Sequence, residues 1–138
     1  MNLITDRTES DVLLGNEKGI YSHTDLNRVE QAVSELAAMI TALGFSLVLN
    51  TKTDWGIPGD FSADAWPVES QMNRYLENVA KIRKVFVIQE KIPETMEGLT
   101  WQGANSIEKV LMAVYTRIEG IRKSYRYSGE IYAGEEIL

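Results

Sequence analysis

The residue types able to do chemistry are few and scattered. His23 is the only histidine, and Thr24 and Asp25 follow it, so an imidazole and a carboxylate could form an acid-base pair. No second histidine, no cysteine and no serine elbow accompanies them, and a surface histidine beside a helix cap is the simpler reading. Asp54, Asp60 and Asp64 fall in one loop and could gather around a divalent ion. Their spacing lacks the alternating carboxylates and central glycine of a calcium loop, which favours N-caps and Asx turns. Glu108 with Glu69 or Glu77 could make a carboxylate pair of the kind that cleaves glycosidic bonds. Helical periodicity places all three on solvated helix faces instead. No catalytic residue, metal site or cofactor is therefore assigned.

The three tryptophans say more. Trp55, Trp66 and Trp101 all lie in long connections, where exposed aromatic rings could bind cell-wall sugars or anchor a protein interface. The competing reading makes them plugs over the ends of a core, each indole N–H bonded to a backbone carbonyl. Trp55 and Trp66 are carried forward as candidate partner-binding residues, together with Tyr127, Ile131 and Tyr132 of the C-terminal tail.

The elements that must position these residues are helices. Leu26, Val29, Val33, Leu36, Ile40 and Leu43 recur in steps of three and four. The same holds for Val68, Met72, Tyr75, Val79, Ile82 and Phe86, and again for Ile107, Leu111, Val114, Ile118, Ile121 and Tyr125. Such spacing puts each set on one stripe, and three stripes can bury one another. Thr24 is the expected N-cap of the first long helix and Gly44 its stop; Pro67 opens the second. A shorter helix is expected over 8–14, capped by Thr8 with Asp11 at the third position and ended by Gly15 or Gly19.

The predicted fold is mainly α: one domain over 1–138, a three-helix antiparallel bundle with a short N-terminal helix. The connections 44–66 and 89–103 exceed the two to eight residues usual between bundle helices. Within the first, Phe45-Ser46-Leu47-Val48-Leu49 alternates weakly, as a short strand would. The tail over 125–138 repeats Tyr127-Ser128-Gly129-Glu130 as Tyr132-Ala133-Gly134-Glu135, and is expected to be extended.

Composition bounds the function. The chain has 138 residues, 44% hydrophobic and 25% charged, the profile of an ordinary globular protein. A net charge of −6 opposes nucleic-acid binding. The basic run Arg117, Arg122, Lys123 and Arg126 is read as a helix C-terminus favoured by its dipole. No apolar run is long enough to span a membrane, and the first residues lack the pattern of a signal peptide. The absence of cysteine excludes disulfides and thiolate chemistry.

Several strings are more specific than helix formation requires: Ile4-Thr5-Asp6-Arg7-Thr8 with Asp11-Val12, Tyr21, Thr24-Asp25-Leu26-Asn27-Arg28-Val29 and Lys52-Thr53-Asp54-Trp55. Pro67, the run from Met72 to Leu76, Met96-Glu97-Gly98-Leu99-Thr100, Ala104-Asn105 with Ile107-Glu108-Lys109, and Ser128-Gly129-Glu130 complete the set. In this order the chain resembles, over nearly its whole length, a family of small modules encoded in tail and baseplate gene clusters of phages and prophages of Gram-positive bacteria. It departs from that pattern in a short passage at Gly15-Asn16-Glu17-Lys18-Gly19, where relatives often carry an acidic helical insertion, and in Val68, where the family tends to have a capping threonine.

The resemblance implies a non-enzymatic virion structural module, tail, baseplate or fibre associated, made in the host cytoplasm and used in assembly or host attachment. It implies other tail or baseplate proteins as partners, a homo-oligomer in a symmetric particle, and a possible host-surface glycan, with no nucleic acid and no membrane. The alternative carried beside it is a carbohydrate-binding or cell-wall-directed accessory protein.

Overall fold

The structure, a computed structural model, describes residues 1–56 and 67–137, with the side chains of the last helix described through Ser124. It is mainly helical: α1 (Glu9–Leu14), α2 (His23–Ala42), α3 (Glu69–Val85) and α4 (Trp101–Ile137), with no strand among the described residues.

Local signals account for most helix ends. Thr8 and Asp11 form the expected capping box, with Thr8 N–H donating to Asp11 Oδ2 at 2.9 Å and Asp11 N–H to Thr8 Oγ1 at 3.3 Å. Gly15 closes that helix. The cap of α2 is Ser22 rather than Thr24, two residues earlier than expected, because Asp25 sits three residues on and accepts from Ser22 N–H at 2.8 Å. Helix α3 starts from Val68 with no side-chain cap, because a valine side chain has no acceptor to offer.

Helices α2 and α3 end in the same motif. Phe45 N–H reaches Ile40 O and Gly44 N–H reaches Thr41 O; Ile88 N–H reaches Arg83 O and Val87 N–H reaches Lys84 O. This pair of hydrogen bonds needs a left-handed residue between the helix and the chain that leaves it. Gly44 supplies it at φ 102°, but the second position is Val87 at φ 52°. A Cβ there costs roughly 1–2 kcal/mol, so Val87→Gly is expected to stabilise the fold by about 1 kcal/mol after the added freedom of the unfolded chain is deducted. Urea unfolding checks it.

The core is built from the predicted stripes. Val29, Leu36, Ile40, Val79, Ile82, Ile107, Leu111, Val114 and Ile118 have no exposed surface. Val110 joins them, and Val68, at the head of the second stripe, is exposed.

The antiparallel order is replaced by a common direction. The first turns of α2 meet those of α4 through Arg28 and Glu108, and those of α3 through Glu30 and Arg74. At the other end of α2 and α3, Phe45 and Phe86 pack edge to face at 6.1 Å. Parallel neighbours need a return path. A 20-residue helix is about 30 Å long, and an extended chain covers that in about ten residues, so the long connections are the returns.

The first return, over 45–54, forms no strand, contrary to the alternation at Phe45 to Leu49. Leu47 and Leu49 turn toward the core and Val48 is exposed, so the period of two is real. Side chains replace a ladder: Asn50 O accepts from Arg74 Nη1 and Asn78 Nδ2, both at 2.7 Å.

The tail is also corrected. Helix α4 continues through Ile137, where an extended segment over 125–138 was expected. Single glycines at 129 and 134 cost a helix roughly 1 kcal/mol each, and no proline breaks the run. The basic run therefore lies in the middle of α4, far from its C-terminus, which removes the dipole explanation. Arg122 pairs instead with Glu119 at 3.1 Å.

Candidate functional site

The site that the specific strings build is a pair of buried polar clusters at the helix starts. In the first, Glu108 on α4 is fully buried between two guanidinium groups. Arg28 donates from Nε to Glu108 Oε1 at 2.7 Å and from Nη2 to Oε2 at 2.9 Å. Arg7 donates from Nη2 to Glu108 Oε2 at 2.7 Å and to Asp25 Oδ1 at 3.1 Å. Asp25 Oδ1 also accepts from Arg28 Nη2 at 2.6 Å. Two cations face two anions, so no net charge is buried. Burial alone would lower the Arg28 pKa, but its bonds to Glu108 and Asp25 outweigh that and hold it above the ordinary arginine value.

This cluster fastens the N-terminal segment. Ile4 N–H donates to Glu108 Oε1 at 3.0 Å, and Asn105 both accepts from Arg7 N–H and donates to Arg7 O, each at 3.0 Å. A coil segment with no strand partner thus has its backbone groups satisfied by α4 side chains. Arg7 also lies over the Tyr21 ring, 5.6 Å from its centroid.

The second cluster fastens the first return. Glu30 on α2 accepts from Arg74 Nη1 at 2.6 Å and Nη2 at 3.1 Å, from Lys52 N–H at 3.0 Å, and from the Trp55 indole N–H. Asn27 clasps the Trp55 backbone, accepting from its N–H at 2.7 Å and donating to its carbonyl at 2.9 Å. Trp55, carried forward as a partner-binding candidate, is 3% exposed and its ring sits in the core as a plug. Its N–H goes to a carboxylate rather than a backbone carbonyl, because the buried Glu30 oxygens need donors.

Between the clusters, the Tyr21 and Tyr75 hydroxyls bond to each other. Burial raises both phenol pKa values, with neighbouring carboxylates adding to the shift. A raised phenol pKa leaves stability intact below the ordinary value near 10 and removes it as pH climbs toward the folded value. Melting temperature is thus expected to fall as pH rises above about 10, and Tyr21→Phe with Tyr75→Phe should flatten that fall.

The other candidates are dispersed. His23 is exposed in the first turn of α2, its ring so close to Gly56 that a Cβ there would lie 2.5 Å from it. Asp54 pairs with Lys52 Nζ at 2.7 Å. Asp60, Asp64 and Trp66 lie outside the described residues, as do the side chains of Tyr127, Ile131 and Tyr132. Glu69 and Glu77 are exposed, whereas Glu108 leaves the solvated face expected for it and joins Arg7 and Arg28. Sequence reasoning missed Arg7, Arg28, Glu30 and Arg74 as site residues. The signal was present: Arg7, Asp25, Arg28, Asn105 and Glu108 all belong to the specific strings.

A cavity of about 760 Å³ opens beside the second cluster, among Tyr21, Leu26, Trp55, Met72, Met96 and Leu99. Ser22, His23, Glu69, Asn73, Thr95 and Glu97 add polar groups to this mainly apolar lining. The clusters themselves have their oxygens engaged, and among the described residues no buried side-chain nitrogen or oxygen lacks a partner. Such an arrangement orients and rigidifies backbone. No family model, curated protein or solved structure matches the chain.

Proposed function

We propose that this chain is a non-enzymatic structural module of a phage virion, associated with tail, baseplate or fibre proteins and present in several symmetric copies. The observation supporting this reading is the use to which the specific strings are put. Their polar groups are consumed in holding coil segments to helices: the charges of Arg7, Asp25, Arg28 and Glu108 in one cluster, and the Lys52 backbone N–H and Trp55 indole N–H on Glu30 in the other. A sequence that spends such residues on rigidity suits a part whose task is to hold a shape in an assembly. The burial of Trp55 withdraws one of the aromatic rings on which a sugar-binding reading rested. Mass spectrometry of purified particles tests the proposal. Stoichiometric recovery of this chain with tail proteins is the expected result; its absence from infectious particles overturns it.

A further inference from the structure

Two apolar patches stand at opposite ends of the bundle. At the end where the helices start, α1 and the chain after it expose Val12, Leu13, Leu14 and Ile20, with Leu13 and Leu14 at 81% and 77%. Val12 and Leu13 border Leu99 and Trp101 at the head of α4, which fixes the patch to that end. Asp6, Glu9, Asp11 and Glu17 are its neighbours in the chain, and of the cations beside it Lys18 is tied to Asp6 at 2.9 Å and Arg7 is buried against Asp25 and Glu108. At the far end of α2 and α3, Phe45, Val48 and Val87 are exposed, Val48 and Val87 at 88% and 72%. Exposed Lys81 and Lys84 stand in the last turns of α3, shortly before Val87.

We propose that the acidic-rimmed patch of one copy docks on the basic-rimmed patch of the next, so that a partner of this chain is a second copy of itself in a heterologous, head-to-tail contact. Charge chooses between the possible pairings. Like patches brought together by a twofold axis would set acid against acid or base against base, whereas head to tail sets acid against base. Val87 supplies a separate argument. A β-branched side chain in a left-handed backbone is strained where glycine would not be, as Gly44 shows in the matching motif of α2, and strain held at an exposed apolar position points to use of that side chain. A head-to-tail contact closes into a ring or continues as a filament, depending on the rotation per step. The inference rests on the homo-oligomeric part of the reading above and not on location in a virion.

Sedimentation velocity of the purified chain and two variants tests it. Leu13→Lys puts a cation on the acidic-rimmed patch, and Val87→Asp puts an anion on the basic-rimmed one. The natural chain is expected to grow in mass with concentration beyond a dimer. Each variant alone should stay at the monomer mass of 15.6 kDa, and an equimolar mixture should form a one-to-one dimer, because each variant retains the patch the other has lost. Leu14→Lys and Val48→Asp provide a second pair should either first variant lose its helical circular dichroism. A natural chain that stays monomeric to millimolar concentration, a variant that dimerises alone, or a mixture that stays monomeric overturns the proposal. Each of these results leaves the particle measurement to decide virion membership separately.

Discussion

Replacing Glu108 with alanine is expected to destabilise the protein by about 3–5 kcal/mol, a large part of the roughly 5–15 kcal/mol that holds a domain of this size together. Glu108 is buried with Arg7 and Arg28 as its ion-pair partners, and it also accepts the Ile4 backbone N–H. Without it, two guanidinium groups share only Asp25, and Arg7, 3% exposed, cannot turn to water for replacement. The cost comes from that uncompensated charge and is not a measure of the pair's net worth. Glu108→Gln keeps the shape but loses the charge and an acceptor, so it should fall between alanine and the natural residue. Urea unfolding followed by circular dichroism measures both, and a change under 1 kcal/mol for the alanine variant would show that the cluster does not hold the fold.

Glu30→Ala should cost less, about 2–3 kcal/mol, because its main partner can relax. The Arg74 side chain is 22% exposed and keeps its bond to Asn50 O at 2.7 Å. Trp55 has no such outlet, since its indole N–H would be left buried and unpaired. The expected signature is a red-shifted tryptophan emission with helicity retained, as the first return loosens from α2 before the bundle melts. Unchanged emission and stability would mean that Asn27 alone holds Trp55 in place.

The legible part of this fold was the part governed by period and punctuation. Steps of three and four place Val29, Leu36, Ile82, Leu111 and Ile118 in the core, and the Thr8 and Asp11 pair fixes α1, because these signals act over a few residues. Direction was not legible. Antiparallel packing is the cheaper choice when loops are short, and the observation that 44–66 and 89–103 are long should have pointed to returns between parallel helices. The tail failed for a related reason: repeated glycine reads as extended chain, but two isolated glycines do not outweigh a run free of proline.

Glu108 was the main site residue misread. A single glutamate on a helix is usually solvated, and nothing local distinguishes one that meets arginines 80 and 101 positions away. Its position inside an unusually specific string was the clue, and Trp55 shared it. Both show that specificity without catalytic residue types can mark long-range polar clamps.

Amide hydrogen exchange tests those clamps most directly. The Ile4, Arg7, Lys52 and Trp55 N–H groups lie outside every helix, yet each donates to a side chain of α2 or α4, at 3.0, 3.0, 3.0 and 2.7 Å. Coil amides ordinarily exchange through small local openings, whereas amides held by buried side chains exchange only when the structure around them opens. These four should exchange nearly as slowly as the core of α2, and the protection of Ile4 should vanish in Glu108→Ala. Exchange of all four at the rate of an unstructured chain would contradict the view that the buried clusters exist to hold these segments.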